Sequence, residues 1–304
     1  MSYRSSGYRP GCLRSLLSLL MGAALLIVGI KIGAWKPDIL DDTEYTIGRT
    51  IADFLDSRPV IAIDAGHGGD DPGASGIMDE AVLTAETAKA LYDLLDADGR
   101  FQPVLCHDYN TTMTIQERYA VANDKYADLL VCIHANADPD GKGSGFECYP
   151  APPGRKYHEE SLAFGEMLVE EFSALGMDIR GENGIRYAYY DDNNEKYIVE
   201  SSNTLVFDDP SFGMLEKTKA PAVLVEQCFI TSESDLSLIG GQSGTAAAQC
   251  YYNAICRYFA DELEEPAEQS SNTDESEVSP TEGTEETDAE SEENYQPVEL
   301  PSGN

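Results

Sequence analysis

Short apolar runs alternate with longer stretches of helical periodicity through the central part of this chain. The strand-like runs are Val60–Asp64, Pro103–Cys106, Leu129–His134, Gly145–Tyr149 and Ala222–Gln227. Helical periodicity extends over Leu83–Asp96, Ile115–Tyr126, Glu159–Leu175 and Ala246–Leu263. Strands that alternate with helices of this length are typical of βαβ units. The pattern predicts an α/β fold, a single domain with a largely parallel (mixed) twisted sheet that helices cover on both faces.

A histidine or glutamate lies at, or just beyond, the carboxyl end of three of the apolar runs. His67 follows the first run in a glycine-rich turn, His134 ends the third, and Glu226 lies in the last. Ligands of open α/β sheets bind beyond the carboxyl ends of the strands, so we expect these residues to converge. Glu80 begins the helix after the first strand and should face the same crevice. Taken alone, His67 also fits a packed or capping role.

Two histidines and one carboxylate, with an open position for water, are a common ligand set for catalytic zinc. A second carboxylate that does not bind the metal can serve as general base and acid. Two other residues near the metal turn are also of interest. Asp64 is a candidate to orient His67, since ligating imidazoles usually donate their other N–H to a carboxylate or carbonyl. His107 follows a strand and could either face the crevice or have a surface or turn role.

Four motifs in this order resemble one known family. They are Asp64–Gly69 (Asp-Ala-Gly-His-Gly-Gly), Glu80, Ile133–Asn136 (Ile-His-Ala-Asn) and Val223–Glu226 (Val-Leu-Val-Glu), joined by Arg118 and Ala122-Asn123. Over roughly residues 58–262 the chain resembles the zinc-dependent N-acetylmuramoyl-L-alanine amidases of bacterial cell walls. The resemblance implies that His67, Glu80 and His134 bind Zn²⁺ and that Glu226 is the catalytic carboxylate.

The chain departs from the family's usual pattern at several positions. Ala81 stands where a basic residue is usual, and Cys106-His107 stands where Thr-Arg is usual. Cys228 and Ser232 replace a usual glycine and asparagine, and the connection Tyr187–Glu216 is longer than usual. None of these changes removes a predicted ligand or base, so we expect them to affect substrate preference. The aromatic residues of that connection either pack it onto the domain or line a groove for glycan or peptide.

The function that the resemblance implies is hydrolysis of the amide between N-acetylmuramic acid and the L-alanine of the stem peptide, for cell-wall remodelling or lysis. Zinc would lower the pKa of its bound water, and Glu226 would carry the proton to the leaving amine. Peptidoglycan is then the partner. Two alternatives remain at this point, a zinc peptidase that cuts within the stem peptide and an inactive wall-binding module.

The amino-terminal segment has the pattern of an export signal. Arg4, Arg9 and Arg14 precede the apolar run Leu16–Ile30, which fits either a membrane anchor or a signal peptide. We favour one uncleaved transmembrane helix, because no clear small-x-small cleavage site precedes Trp35. The arginines keep that end in the cytoplasm. Either interpretation predicts an extracytoplasmic catalytic domain, anchored in the cell membrane or secreted to the cell wall.

Charge and composition complete the domain organisation. The formal net charge of −35 argues against nucleic acid or an anionic lipid surface as partner. Residues 266–304 contain no Lys or Arg and little that could pack, which predicts a disordered acidic tail. We therefore expect an anchor or signal segment at 1–36, a linker at 37–57, the zinc amidase domain at 58–265 and the tail at 266–304.

The seven cysteines are expected to be small buried hydrophobic residues, because most of them lie in strands or on an apolar helix. Cys132 and Cys228 lie two residues from His134 and Glu226 on the same strand face. An additional role for these two as metal ligands is the alternative.

Overall fold

Strands form the centre of the protein, seen in a computed structural model that describes residues 37–263. They are β1 (Val60–Ala65), β2 (Gln102–Leu105), β3 (Leu129–Asn136), β4 (Glu147–Pro150), β5 (Arg186–Tyr190), β6 (Lys196–Glu200) and β7 (Ala222–Phe229). Five of them form one sheet in the order β2-β1-β3-β7-β4, and β5 and β6 pair with each other as a hairpin. In the main sheet only β4 runs antiparallel to its neighbour. The predicted α/β fold with a largely parallel, mixed sheet is confirmed.

Helices connect the strands. They are α1 (Pro37–Leu55), α2 (Glu80–Asp98), α3 (Ile115–Asp124), α4 (His158–Leu175), α5 (Gly213–Lys217), α6 (Glu233–Leu238), α7 (Thr245–Tyr258) and α8 (Ala260–Leu263), with a 3₁₀ turn at Gly241–Ser243. The start of α3 shows why these elements begin where they do. The Thr114 side chain accepts from the Glu117 backbone N–H, and the Glu117 side chain accepts from the Thr114 backbone N–H. Such a capping box satisfies backbone donors that would otherwise lack a partner.

The core lies on both faces of the sheet. One face packs β1, β3 and β7 against α2, α4 and α7, with Phe146 and Phe172 stacked at 4.3 Å between their ring centroids. On the opposite face a smaller cluster joins Ala122 of α3 and Met214 of α5 to the sheet. Both faces are therefore covered, because alternate side chains of these central strands are apolar on each side.

The strand order creates a crevice between β1 and β3. From β1 the chain continues to β2 on one side, and later strands are added on the other side beyond β3. The connections that follow β1 and β3 therefore leave toward opposite edges of the sheet, so a crevice remains between the carboxyl ends of these two strands. Such a crevice is where α/β proteins bind their ligands. His67 follows β1 and His134 lies in β3, so both predicted ligands belong to this crevice.

Helix α1 occupies most of the segment that we predicted to be a linker. It contacts the domain through Tyr45, whose ring lies 5.4 Å from that of Tyr126, and through an ion pair between Arg49 and Asp128. The predicted anchor at 1–36 and the predicted acidic tail at 266–304 lie outside the described residues. Within residues 37–263, no helix has the length and apolar character that crossing a bilayer requires.

The β5–β6 hairpin lies in the connection that is longer than usual. Sequence periodicity did not predict these strands, because aromatic and charged residues alternate there without a continuous apolar run. The aromatic residues of the hairpin divide between the two predicted roles. Tyr187 and Tyr189 are fully buried, whereas Tyr190 and the later Phe212 line a groove.

Candidate active site

The loop after β1 is shaped so that its backbone approaches the predicted ligands closely. A Cβ atom on Gly66 would lie 2.6 Å from the His134 ring, and one on Gly73 would lie 2.6 Å from His67 Cδ2 and 2.7 Å from Glu80 Oε2. Only glycine leaves room at both positions. His67 itself has a left-handed backbone with φ of 66°. That conformation is uncommon for a residue with a side chain and is often found at functional sites.

The Glu80 carboxylate contacts the imidazoles of both His67 and His134. Its Oε2 lies 3.1 Å from His67 Nε2, and its Oε1 lies 3.0 Å from His134 Nδ1. Potential ligand atoms of the three side chains all lie within 4.8 Å of one another, the one such group found among the described residues. The structure thus brings together the three residues that we predicted as metal ligands. Two imidazoles and one carboxylate at this spacing fit a divalent ion such as zinc.

The protonation of this cluster follows from its contacts. Burial raises the pKa of Glu80, but hydrogen bonds with His134 and His67 outweigh burial and hold that pKa well below its usual range. The hydrogen bond with Glu80 raises the pKa of His67 to about 9, with Asp71 contributing. The protein without metal therefore keeps a proton on His67 at neutral pH. A metal ion would have to displace that proton, since only neutral imidazole is a ligand.

Asp71 is the carboxylate that orients His67. Its Oδ2 lies 2.8 Å from His67 Nδ1, and its Oδ1 accepts from the Gly73 backbone N–H at 3.0 Å. Our assignment of this role to Asp64 was wrong. Asp71 follows His67 by four residues, and only the tight turn between them brings the two side chains together, so strand and helix patterns carry no signal for it.

Asp64 belongs to a buried group of side chains that holds the backbone of the loop after β1, which carries His67 and which we call the metal loop. Arg118 donates to Ala65 O at 3.0 Å and to His67 O at 2.6 Å, and His107 Nε2 lies 2.6 Å from Ala65 O. Asp64 Oδ2 lies 3.6 Å from Arg118 Nη1. Burial raises the pKa of Asp64, and the charge of Arg118 opposes this. His107 is thus buried in the bend after β2, behind the loop, and does not face the crevice.

Glu226 lies beside the cluster as the register partner of His134 in the β3–β7 pair. Every other residue of β7 is fully buried, whereas Glu226 remains partly exposed to the groove. Its carboxylate has no hydrogen-bond partner in the part of the chain that the structure describes. Burial raises the pKa of Glu226 to about 7, with His134 opposing and Glu80 reinforcing the increase. A carboxylate with this pKa can both accept and release a proton near neutral pH.

A second carboxylate, Glu147, lies directly opposite Glu226 in the antiparallel β4–β7 pair. Its Oε1 accepts from Asn136 Nδ2 at 2.6 Å, and its Oε2 accepts from Arg186 Nη1 at 2.7 Å. Arg180 approaches the same oxygen at 3.3 Å. These partners hold the buried Glu147 side chain in a fixed position next to Glu226. Sequence reasoning missed Glu147, although a charged residue within a strand-like run was a usable signal.

A groove of about 660 Å³ opens over these residues. His67, His134 and Glu226 line it together with Ile115 and Phe212. The groove therefore has room for an extended molecule beside His67, His134 and Glu226.

The cysteines between residues 37 and 263 do not belong to the His67–Glu80–His134 group. The six cysteines of the described residues are free thiols, and all but Cys256 are buried. Burial raises the pKa of Cys132 and Cys228 well above its usual value, which leaves them as neutral thiols. Their prediction as small buried hydrophobic residues is confirmed.

Comparison with known proteins gives a consistent result. Residues 61–257 match the family described as N-acetylmuramoyl-L-alanine amidase. A putative N-acetylmuramoyl-L-alanine amidase of Buchnera aphidicola subsp. Baizongia pistaciae is 30% identical over 183 residues, covering 57% of this chain and 83% of that protein. The N-acetylmuramoyl-L-alanine amidase LytC of Bacillus subtilis is 30% identical over 203 residues. That match covers 66% of this chain and 35% of LytC.

The fold is also similar to solved structures. The catalytic domain of CwlV, an N-acetylmuramoyl-L-alanine amidase from Bacillus (Paenibacillus) polymyxa var. colistinus, aligns with a TM-score of 0.52 and 26% identity. The alignment covers 66% of this chain and 98% of that domain. The family match spans more than half of the chain and includes all four clustered residues. The protein therefore belongs to the N-acetylmuramoyl-L-alanine amidase family of bacterial cell-wall enzymes.

Proposed function

We propose that this amidase is zinc-dependent and hydrolyses the amide between N-acetylmuramic acid and L-alanine during remodelling or lysis of the cell wall. His67, Glu80 and His134 hold the zinc ion, and Glu226 is the general base and acid. The observation that carries this proposal is the grouping of three ligand side chains within 4.8 Å, with Glu226 in register beside His134. Action on peptidoglycan requires an extracytoplasmic location, which agrees with the export pattern of the amino-terminal sequence.

The fit of the site to zinc rests on its donors and on the space around them. A zinc ion supplies a water of lowered pKa and polarises the carbonyl to be attacked. Glu80 is held by backbone N–H groups as well as by the imidazoles, since it accepts from Ala74 N at 3.0 Å and from Ala135 N at 3.1 Å. Asp71 fixes the His67 ring, and the glycines leave the ligand atoms uncovered. This chain therefore holds its ligand set in place without the ion.

Glu226 performs the proton transfers. Its carboxylate, next to His134, would accept a proton from the attacking water. The same carboxylate then delivers the proton to the amine of L-alanine as the amide C–N bond breaks. The lack of a hydrogen-bond partner among the described residues leaves both carboxylate oxygens available for this exchange. Glu147 lies opposite, but both of its oxygens already accept hydrogen bonds from Asn136 and Arg186.

Digestion of purified peptidoglycan tests the function. We expect the wild-type protein to release free muramoyl lactyl groups and amino-terminal alanine in equal amounts. Other new termini would instead indicate a peptidase that cuts within the stem, and binding without any new terminus would indicate a wall-binding module. Either of these two results would contradict the proposal.

Metal analysis tests the ligand assignment separately. His67→Ala and His134→Ala should each lose bound zinc, whereas His158→Gln, a histidine of α4 outside the cluster, should retain it. Melting temperatures of the metal-free proteins serve as the control for folding. Retention of a full zinc equivalent by either ligand variant would contradict the assignment.

A further inference from the structure

The β5–β6 hairpin is a firmly anchored wall of the active-site groove. Tyr190 N–H donates to Pro210 O at 2.9 Å, which ties the hairpin to the segment that carries Phe212. Arg155 holds that segment by donating to Phe207 O at 3.1 Å, to Asp209 O at 2.7 Å and to Glu216 at 2.8 Å. Backbone carbonyl contacts of this kind fix the position of a connection that would otherwise move freely. The wall is therefore in place before substrate arrives.

The two faces of the hairpin have different surroundings. Tyr189 and its register partner Tyr197 stack at 5.6 Å on the core side, where Phe207 packs against them. Successive residues of a strand alternate sides, so the next register pair, Tyr190 and Lys196, is on the opposite side. Tyr190 lines the groove there. Lys196 is exposed at the rim, with its Nζ 5.8 Å from the centre of the Phe212 ring.

Two positively charged residues, Arg186 and Lys196, lie on this groove side of the hairpin, and they differ in their ion pairs. Arg186 forms ion pairs with Glu147 at 2.7 Å and with Glu200 at 2.6 Å. Lys196 makes no ion pair with any residue between 37 and 263. Its ammonium is nevertheless close enough to lower the pKa of Glu226, against the larger effect of burial. Among residues 37–263, Lys196 is thus a positive charge without an ion-pair partner, next to two residues, Tyr190 and Phe212, of the groove that Glu226 also lines.

From this arrangement we infer that Lys196 is a specificity residue, which binds a carboxylate of the stem peptide near the scissile amide. The inference rests on the proposed function, because that function supplies the peptide. A stem carboxylate beside the groove would otherwise face Glu226 and Asp71, and the resulting repulsion would weaken binding. The Lys196 ammonium offsets that repulsion and gives the carboxylate a charged partner. Phe212 supports the lysine side chain through its ring.

Kinetics on synthetic muramoyl tripeptides test this inference. Three substrates are compared: one with free carboxylates on the second and third stem residues, one with the second amidated, and one with the third amidated. For Lys196→Met we expect KM to rise about three- to tenfold on substrates that carry the recognised carboxylate, with kcat within about twofold. When that carboxylate is amidated, Lys196→Met and wild type should have the same KM. Comparison of the two amidated substrates therefore identifies the stem residue whose carboxylate Lys196 binds.

Further variants separate charge from packing. Lys196→Arg should retain most of the preference for the free carboxylate, and Lys196→Glu should favour the amidated substrate. Lys89→Met removes an exposed lysine, ion-paired with Asp93, from α2 outside the groove and should leave all three KM values unchanged. The wild-type preference should also weaken between about 50 and 500 mM salt, because exposed ion pairs are screened.

The outcomes distinguish this inference from the proposed function. If wild type cleaves all three substrates with the same KM, or if Lys196→Met and Lys196→Glu lower activity equally on all three, Lys196 does not recognise a carboxylate and only this inference fails. If wild type releases no amino-terminal alanine from any of them, the proposed function fails, and the inference fails with it.

Discussion

Glu226 on β7 and His134 on β3 are register partners in a parallel strand pair. Residues in register on neighbouring parallel strands project to the same side of the sheet, and both side chains line the same groove. The sheet therefore holds the proposed proton acceptor and one proposed metal ligand at a fixed separation, independently of the loops around them. Placement of reacting groups on rigid elements favours precise geometry.

Replacing Glu226 by Gln should remove most of the activity while the fold and the metal are retained. An amide cannot accept the proton of the attacking water, and general acid–base groups contribute about 10²–10⁴-fold to turnover. Release of amino-terminal alanine, together with bound zinc and melting temperature, gives the measurement. Glu86→Gln on the exposed side of α2 is the matched control. Turnover by Glu226→Gln near the wild-type rate would show that another group is the base.

The same variant should be more stable than wild type when both lack metal. Burial raises the pKa of Glu226 from 4.5 to about 7, so the folded protein binds a proton more tightly than the unfolded chain does. The wild type then loses stability as pH rises from about 4.5 to 7, and the loss is complete above pH 7. Glutamine removes this penalty.

We expect Glu226→Gln to exceed wild type by about 1–3 kcal/mol in free energy of unfolding at pH 8, and by little at pH 4.5. Urea unfolding of the metal-free proteins at the two pH values provides the measurement. A constant difference across this range would mean that the pKa of Glu226 is not raised in the folded protein.

Zinc binding should release about one proton at pH 7. The hydrogen bond with Glu80 raises the pKa of His67 to about 9, so the His67 imidazole is protonated at neutral pH without metal. Zinc affinity should accordingly increase about tenfold for each pH unit between 6 and 8 and level off above pH 9. Calorimetry in buffers of different ionisation enthalpy counts the protons. An affinity independent of pH over this range would contradict the protonated state.

Asp71→Asn should weaken zinc binding without abolishing it. Asp71 contacts His67 Nδ1 at 2.8 Å and is one of the groups that raise the pKa of His67. Partners that orient a ligating histidine typically affect metal affinity by about 10–100-fold, and we expect the low end because Asp71 is exposed. Competition with a chelator measures the affinity. The adjacent Asp70→Asn is the control, and equal affinities of the two variants would show that Asp71 has no orienting role.

Much of the fold could be predicted because apolar runs and helical periodicity are local patterns. The main-sheet strands and the longer helices α2, α3, α4 and α7 lie where the sequence predicts them, within a few residues at their ends. Helices α1, α5 and α6 and the β5–β6 hairpin were not predicted. Helices α5 and α6 are too short to show a periodic pattern, and the hairpin lacks a continuous apolar run. Helix α1 is amphipathic, but we interpreted its segment as a linker. The positions of these elements depend on contacts such as Tyr45 with Tyr126 or Arg155 with Asp209.

The grouping of His67, Glu80, His134 and Glu226 follows from sequence alone, because the carboxyl ends of parallel strands meet at one edge of a sheet whatever the loops do. Only the tertiary structure decided which groups surround them. A tight turn brings Asp71 to His67, and the antiparallel register of β4 and β7 places Glu147 opposite Glu226. Lys196 lies on a hairpin that is remote in sequence from the metal loop. Such contacts depend on three-dimensional packing between separate segments, which a local sequence pattern does not encode.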